Sequence, residues 1–127
     1  MKLKIRIRQT KPGVVTLSPI GPIDTETSST LDKEICRILA KACKTLVLDM
    51  AGVDYITSAA VGIIAKTKAS LKKNNGDLAM INLQPQVKKV FEIIRLLPAL
   101  NVFASKEELD EYLGKVQRRI TEEEDEY

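Results

Sequence analysis

Two adjacent hydroxyl side chains, Thr57 and Ser58, lie in the middle of a mostly apolar stretch that runs from Val47 to Ile64. They fall where a strand-like run gives way to helical spacing, so one of them is expected to cap the N-terminus of the helix. A capping role explains one hydroxyl better than it explains two. The other can carry a phosphate, because the free N–H groups and the dipole at a helix start stabilise an anion there by about 0.3–1 kcal/mol.

Small residues follow the hydroxyl pair, namely Ala59, Ala60 and Gly62. They leave the start of the predicted helix open to an approaching protein. A phosphate at this point would add a charge of about −1.5 to −2 to an apolar contact face. We therefore expect phosphorylation to preserve the fold and to break an interface.

The chain has no histidine, which excludes His general bases, Ser-His-Asp and Cys-His nucleophiles, and His metal sites. It also has no glycine-rich phosphate loop of either common type. Asp49 follows an apolar run, as the phospho-acceptor of a response-regulator receiver domain does. However, the first strand ends in Arg8-Gln9-Thr10, without the acidic pair that would hold Mg²⁺. The sequence therefore predicts a protein that is not an enzyme and that uses neither a cofactor nor a metal.

The composition indicates one globular domain with an aliphatic core, since 44% of the 127 residues are hydrophobic and only 4% are aromatic. The net charge is +3, but residues 122–126 carry five negative charges, so the remainder carries +8. The Lys and Arg residues are spread along the chain and aromatics for base stacking are few, so no nucleic-acid partner is expected.

The two cysteines, Cys36 and Cys43, lie seven residues apart on one predicted helix, which separates them by about 10 Å at about 1.5 Å per residue. That separation exceeds the reach of a disulfide, about 7 Å, so both are expected to be reduced.

No signal peptide is apparent, and no apolar run approaches the roughly 20 residues of a membrane span. We therefore expect a cytoplasmic protein without a membrane partner.

Periodicity predicts two strands followed by alternating helices and strands. The alternating segment KLKIRIRQ and the segment VVTLSPIG flank the turn at Pro12 and Gly13, which predicts a hairpin. TLVLDM and LAMINL are typical of strands buried on both faces. Helical spacing precedes TLVLDM, begins again at Ser58 and is expected to end in a left-handed cap at Asn75 or Gly76. QPQVKKVFEIIRLLP predicts a third helix, NVFA a last strand, and the capping box Ser105 and Glu108 a fourth helix.

This order predicts an α/β domain with a mixed sheet of about five strands and about four helices, joined by right-handed crossovers. Functional groups in such sheets gather at the carboxyl ends of the strands. The predicted junctions at that edge are residues 23–25, 49–58 and 82–84.

The segment LVLDMAGVDYITSAAVGII resembles the sequence signature of STAS domains, the module of anti-sigma factor antagonists and of sulphate-transporter cytoplasmic tails. The matching positions are Asp49, Val53, Tyr55, Ile56, Ser58, Val61 and Gly62. The likeness extends over nearly the whole chain, including GPIDTETSSTL with Asp24 and LAMINL with Asn82. It implies a STAS domain over residues 1–120, followed by an acidic tail at residues 121–127.

The resemblance implies an anti-sigma factor antagonist that acts by partner switching. Such an antagonist binds an anti-sigma factor, itself a serine kinase, and is released when the kinase phosphorylates the start of the second helix; a cognate phosphatase reverses this. The implied acceptor is Ser58. Thr57 stays the alternative, because it replaces the Asp of the best-known antagonists and occurs in the stress-signalling scaffold branch. The implied partner-binding residues are Asp24, Thr25, Asp54, Tyr55, Thr57, Ser58, Ile63 and Asn82.

A second interpretation is a non-phosphorylated STAS scaffold subunit of a stress-signalling assembly. Self-association as a homodimer also stays open. The sequence does not identify the sigma factor, the kinase or the phosphatase.

Overall fold

The computed structural model describes residues 3–41, 43–94, 101–103 and 106–113. Within these residues the elements are β1 (Lys4–Lys11), β2 (Val14–Ile20), α1 (Thr27–Leu39), β3 (Thr45–Asp49), α2 (Ser58–Lys73), β4 (Asp77–Ile81), α3 (Pro85–Ile94), β5 (Asn101–Phe103) and α4 (residues 106–113). The predicted order of strands and helices is confirmed.

The five strands form one sheet in the order β1-β2-β3-β4-β5. The β1–β2 pair is the predicted antiparallel hairpin, and the remaining pairs are parallel. At the hairpin turn Gly13 has a φ of +78°, and its carbonyl accepts the N–H groups of Lys44 and Thr45 at 2.8 and 2.9 Å. The turn therefore fixes where β3 enters the sheet.

Helices α1, α2 and α3 cover one face of the sheet. Leu46 and Leu48 of β3 point into this layer and are fully buried, whereas Val47, between them, is buried on the opposite face. Leu109 and Leu113 of α4 pack on that opposite face. The central strands are thus buried on both sides, as their continuous apolar runs predict.

The left-handed cap predicted after α2 lies at Asn75, which has a φ of 60°. The Gly76 N–H donates to the Leu71 carbonyl at 2.7 Å and completes the helix end. Ile7 lies on the same face of β1 as Leu3 and Ile5 by the alternation of the strand, but it differs from them in burial. It is 49% exposed, because the helical layer packs on those two residues of the edge strand but not on Ile7.

Cys36 and Cys43 are both free thiols, as predicted, but the prediction that they share one helix is wrong, because α1 ends at Leu39 and Cys43 lies between α1 and β3. The capping residue Ser105 and the acidic tail lie outside the described residues. None of the helices within the described ranges is long and apolar enough to span a membrane.

Candidate functional site

The start of α2 is positioned by backbone hydrogen bonds to the segment that follows β2. The Ile23 N–H donates to the Tyr55 carbonyl at 2.9 Å, and the Thr57 N–H donates to the Ile23 carbonyl at 3.0 Å. Ile23 and Ile56 form an isolated parallel bridge and are both buried. These contacts bring two of the three predicted junctions together at the carboxyl edge of the sheet.

The loop after β3 approaches the end of β2 closely at Gly52. The Gly21 N–H donates to the Gly52 carbonyl at 2.9 Å. A Cβ at Gly52 would lie 3.1 Å from both the Pro19 carbonyl oxygen and Ile20 Cγ1, so a side chain there would require these neighbours to shift by a few tenths of an ångström. Val53 is fully buried and anchors the loop.

Thr57 is the N-cap residue of α2. Its backbone is extended, with a φ of −94° and a ψ of 162°, and its hydroxyl accepts the Ala60 N–H at 3.4 Å. The side chain is half-buried. The expectation that one of the two hydroxyls caps the helix is therefore confirmed, and the capping residue is Thr57.

Ser58 differs from its neighbour because it is exposed and its hydroxyl has no hydrogen-bond partner among the described residues. Ala59 and Gly62 are exposed beside it. A Cβ added to Gly62 would meet no atom within 4 Å. We call the exposed residues Tyr55, Ser58, Ala59 and Gly62 the α2 face.

The carboxylate of Asp24 faces the N-terminus of α1. Its Oδ1 accepts the N–H groups of Glu26 and Thr27 at 3.0 and 2.8 Å, and the Asp24 N–H donates to Thr27 Oγ1 at 2.8 Å. The hydrogen bonds from Thr27 hold the pKa of Asp24 below its ordinary value. Asp24 thereby caps α1, whose formal N-cap residue Glu26 makes no capping bond. Thr25 beside it is exposed.

Asn82 connects the third junction to the loop after β3. It lies at a φ of 58°, and its side-chain amide donates to Asp49 Oδ1 at 3.1 Å. The same oxygen accepts the Ala51 N–H at 3.1 Å, and Gln84 donates to the Ala51 carbonyl at 2.8 Å. Asn82 is half-buried, and its side chain helps to position the loop after β3.

The remaining predicted contact residues differ in exposure. Asp54 is exposed and Tyr55 is 55% exposed, between the buried anchors Val53 and Ile56. Ile63 is half-buried and packs against the main core. Sequence reasoning missed Gly52 and Gln84 as positioning residues; only the loop glycine itself could have indicated a close approach.

The edge therefore presents the exposed alcohol of Ser58 at the start of α2, beside small and aromatic exposed side chains. In the part of the chain that the structure describes, no three Cys, Asp or Glu side chains are grouped to hold a metal ion. The chemistry available to Ser58 is that of an acceptor: its oxygen can receive a phosphoryl group from another molecule.

Comparison with known proteins identifies relatives of the same architecture. Residues 6–109 match the family model described as the STAS domain. BtrV of Bordetella bronchiseptica, named as an anti-sigma factor antagonist, is 30% identical over 87 residues, which are 68% of this chain and 75% of BtrV.

Solved structures of a second relative share the fold. The anti-sigma factor antagonist SpoIIAA in its unphosphorylated form has a TM-score of 0.76 at 20% identity, over 87% of this chain and 97% of SpoIIAA. The phosphorylated form of SpoIIAA, described as a Bacillus cell fate determinant, has a TM-score of 0.68 at 18% identity, over 86% and 99%. At these identities the likeness concerns the fold.

Proposed function

This chain belongs to the STAS domain family, and on that premise we propose that it is an anti-sigma factor antagonist that acts by partner switching. In its unmodified state it binds an anti-sigma factor that is a serine kinase. The kinase phosphorylates Ser58, the phosphate releases the antagonist, and a cognate phosphatase restores binding. The kinase supplies the nucleotide and Mg²⁺, and this chain supplies an alcohol and a docking surface.

The names of two relatives support the antagonist role. BtrV and SpoIIAA are both named as anti-sigma factor antagonists, and SpoIIAA has been solved in phosphorylated and unphosphorylated forms. A protein of this fold therefore accommodates a phosphate without losing its architecture.

The single observation that carries the proposal is the difference between the two hydroxyls. Ser58 is exposed at the first position of α2, and its hydroxyl bonds to none of the described residues, whereas Thr57 is half-buried and its hydroxyl accepts the Ala60 N–H. A kinase must reach and deprotonate the acceptor, so the exposed alcohol is the better substrate. The backbone N–H groups of the first helical turn have no partners within the helix, so they stabilise a phosphate there.

The release step follows from the surroundings of Ser58. The α2 face consists of uncharged side chains, most of them small, and the exposed carboxylate of Asp54 precedes it in the chain. A phosphate would place about −1.5 to −2 charge in the middle of this contact area. Binding would remove this charge from water and place it against a partner surface that fits the neutral alcohol, so affinity falls. Within the folded protein, the dipole of α2 stabilises the same charge, so the fold is kept.

The test is phosphorylation by anti-sigma factor kinases of the same organism, followed by mass spectrometry that locates the phosphate. Ser58→Ala removes the exposed alcohol. The matched control, Thr57→Asn, removes the other hydroxyl but keeps a side chain that caps helices well. Phosphate on the wild type and on Thr57→Asn, but not on Ser58→Ala, supports the proposal. Loss of the phosphate in Thr57→Asn alone would identify Thr57 as the acceptor. Partner binding without any phosphate in all three proteins overturns the switch and favours the scaffold.

A further inference from the structure

Strand β1 presents a row of cations on the face of the sheet that carries α4. Lys4, Arg6 and Arg8 alternate with residues of the opposite face, and all three are exposed. Helix α4 covers the neighbouring strands through Leu109 and Leu113. Between α4 and the hairpin lies an open groove, whose lining includes Arg6, Arg8, Lys11, Thr16, Ile20 and Leu113.

These cations are not neutralised by the described residues. The ion pairs found there join Arg37 to Glu34, Lys66 to Asp32 and Lys68 to Asp77, all away from the groove. Two carboxylates also line the groove, Asp49 and Asp110, against four cations, Arg6, Arg8, Lys11 and Lys106. Asp49 already accepts hydrogen bonds from Asn82 and Ala51. The described residues that line the groove therefore carry an excess of positive charge.

The sequence contains a matching anionic segment within reach. Leu113 is buried at the groove, and it is the last residue that the structure describes. Eight residues separate it from the acidic run Glu122–Glu126. Extended, eight residues span up to about 27 Å, about the length of the eight-residue strand β1. Because the acidic run belongs to the same chain as the groove, its effective concentration there does not depend on a free partner, so individually weak ion pairs can form.

We propose that the carboxylates of Glu122–Glu126 dock in cis on this basic groove and mask it from other polyanions. The complementary charges identify the occupant: five negatives offset most of the +8 that the rest of the chain carries. The groove lies on the opposite face of the sheet from helix α2, so the proposal is independent of phosphorylation at Ser58.

The first test compares amide NMR spectra of the full-length wild type with a neutral-tail variant, Glu122→Gln, Glu123→Gln, Glu124→Gln, Asp125→Asn and Glu126→Gln. We expect shift differences at the amides of β1 and β2, but not at those of α3. They should disappear near 1 M salt, where screening acts over about 3 Å. No difference at β1 and β2 overturns the proposal. Differences that vanish on dilution overturn it too, because they assign the contact to a second copy.

The second test measures masking with a heparin oligosaccharide as a polyanion of known charge. The neutral-tail variant should bind it at least about tenfold more tightly than the wild type at low salt. The gain should be lost when Arg6→Gln and Arg8→Gln are added to the neutral-tail variant. Equal heparin affinity of the wild type and the neutral-tail variant would show that the tail masks nothing.

Discussion

Asn82 donates its side-chain amide to Asp49 Oδ1 at 3.1 Å, although 33 residues separate the two in the chain. The bond connects the end of β4 to the loop that leads from β3 toward α2. Ala51 donates its N–H to the same oxygen at 3.1 Å. The Asp49 carboxylate therefore bonds both the segment that follows β3 and the segment that follows β4. The loop that carries Tyr55 and leads to Ser58 is thereby tied to the sheet at its beginning.

We expect Asn82→Ala to destabilise the protein by about 2 kcal/mol, because it removes a hydrogen bond to a carboxylate and places a Cβ-bearing residue without a polar side chain at a positive φ. Asn82→Gly should cost only about 1 kcal/mol, since glycine adopts that φ freely. Urea unfolding of the two variants separates the contributions. Equal losses would show that the backbone conformation carries no cost.

Replacing the two hydroxyls should have unequal effects on stability. Thr57→Ala removes the cap of α2 and is expected to cost about 1 kcal/mol. Ser58→Ala should change the free energy of unfolding by less than about 0.5 kcal/mol, because the exposed hydroxyl makes no hydrogen bond among the described residues. Chemical denaturation measures both. A larger loss in Ser58→Ala would mean that Ser58 is the cap.

Gly62 offers a variant that separates stability from docking. A Cβ at this exposed helical position meets no atom within 4 Å, so Gly62→Ala should stabilise the protein by about 0.5–1 kcal/mol. If a partner packs on the α2 face, the added methyl group should weaken its binding. Ala69→Leu, at an exposed position two turns further along α2, is the control and should leave binding unchanged. Unfolding curves and calorimetric titration of the anti-sigma factor test both parts; unweakened binding to Gly62→Ala would remove Gly62 from the interface.

Asp24 makes stability depend on pH. Its folded pKa is lowered by the bonds from Thr27, so its contribution is present above the unfolded value of 3.8 and is lost as the pH falls through the lower folded value. The wild type should therefore exceed Asp24→Asn in stability at pH 7, and the gap should close as the solution is acidified below 3.8. Urea unfolding across this range measures the gap. A gap independent of pH would show that the charge of Asp24 plays no part.

Much of the fold could be predicted because local patterns and tertiary packing agree. The apolar runs at Leu46–Leu48 and Leu78–Met80 have no polar face, so only strands covered on both sides can bury them. Asn75 could be predicted as a left-handed cap because asparagine tolerates a positive φ after a helix. The exposure of Ile7 could not be predicted, because the alternation of an edge strand does not indicate how far the helical layer extends over it.

The site was harder to predict than the sheet edge that holds it. Asp24 and Asn82 follow strands and were expected to bind a partner, and the structure adds that both direct their side chains to groups of the fold. That direction depends on the Thr27 hydroxyl and on a single positive φ, neither of which has a periodic pattern. Choosing between Thr57 and Ser58 depends on the helix boundary, which sequence patterns locate only to within about two residues.

The most direct measurement compares the unmodified protein with the same protein phosphorylated on Ser58, in free energy of unfolding and in affinity for its anti-sigma factor. We expect stability to stay the same or to rise by up to about 1 kcal/mol. Affinity should fall by at least about 30-fold, equivalent to about 2 kcal/mol. Unchanged affinity in a folded, fully phosphorylated protein would contradict partner switching at this site.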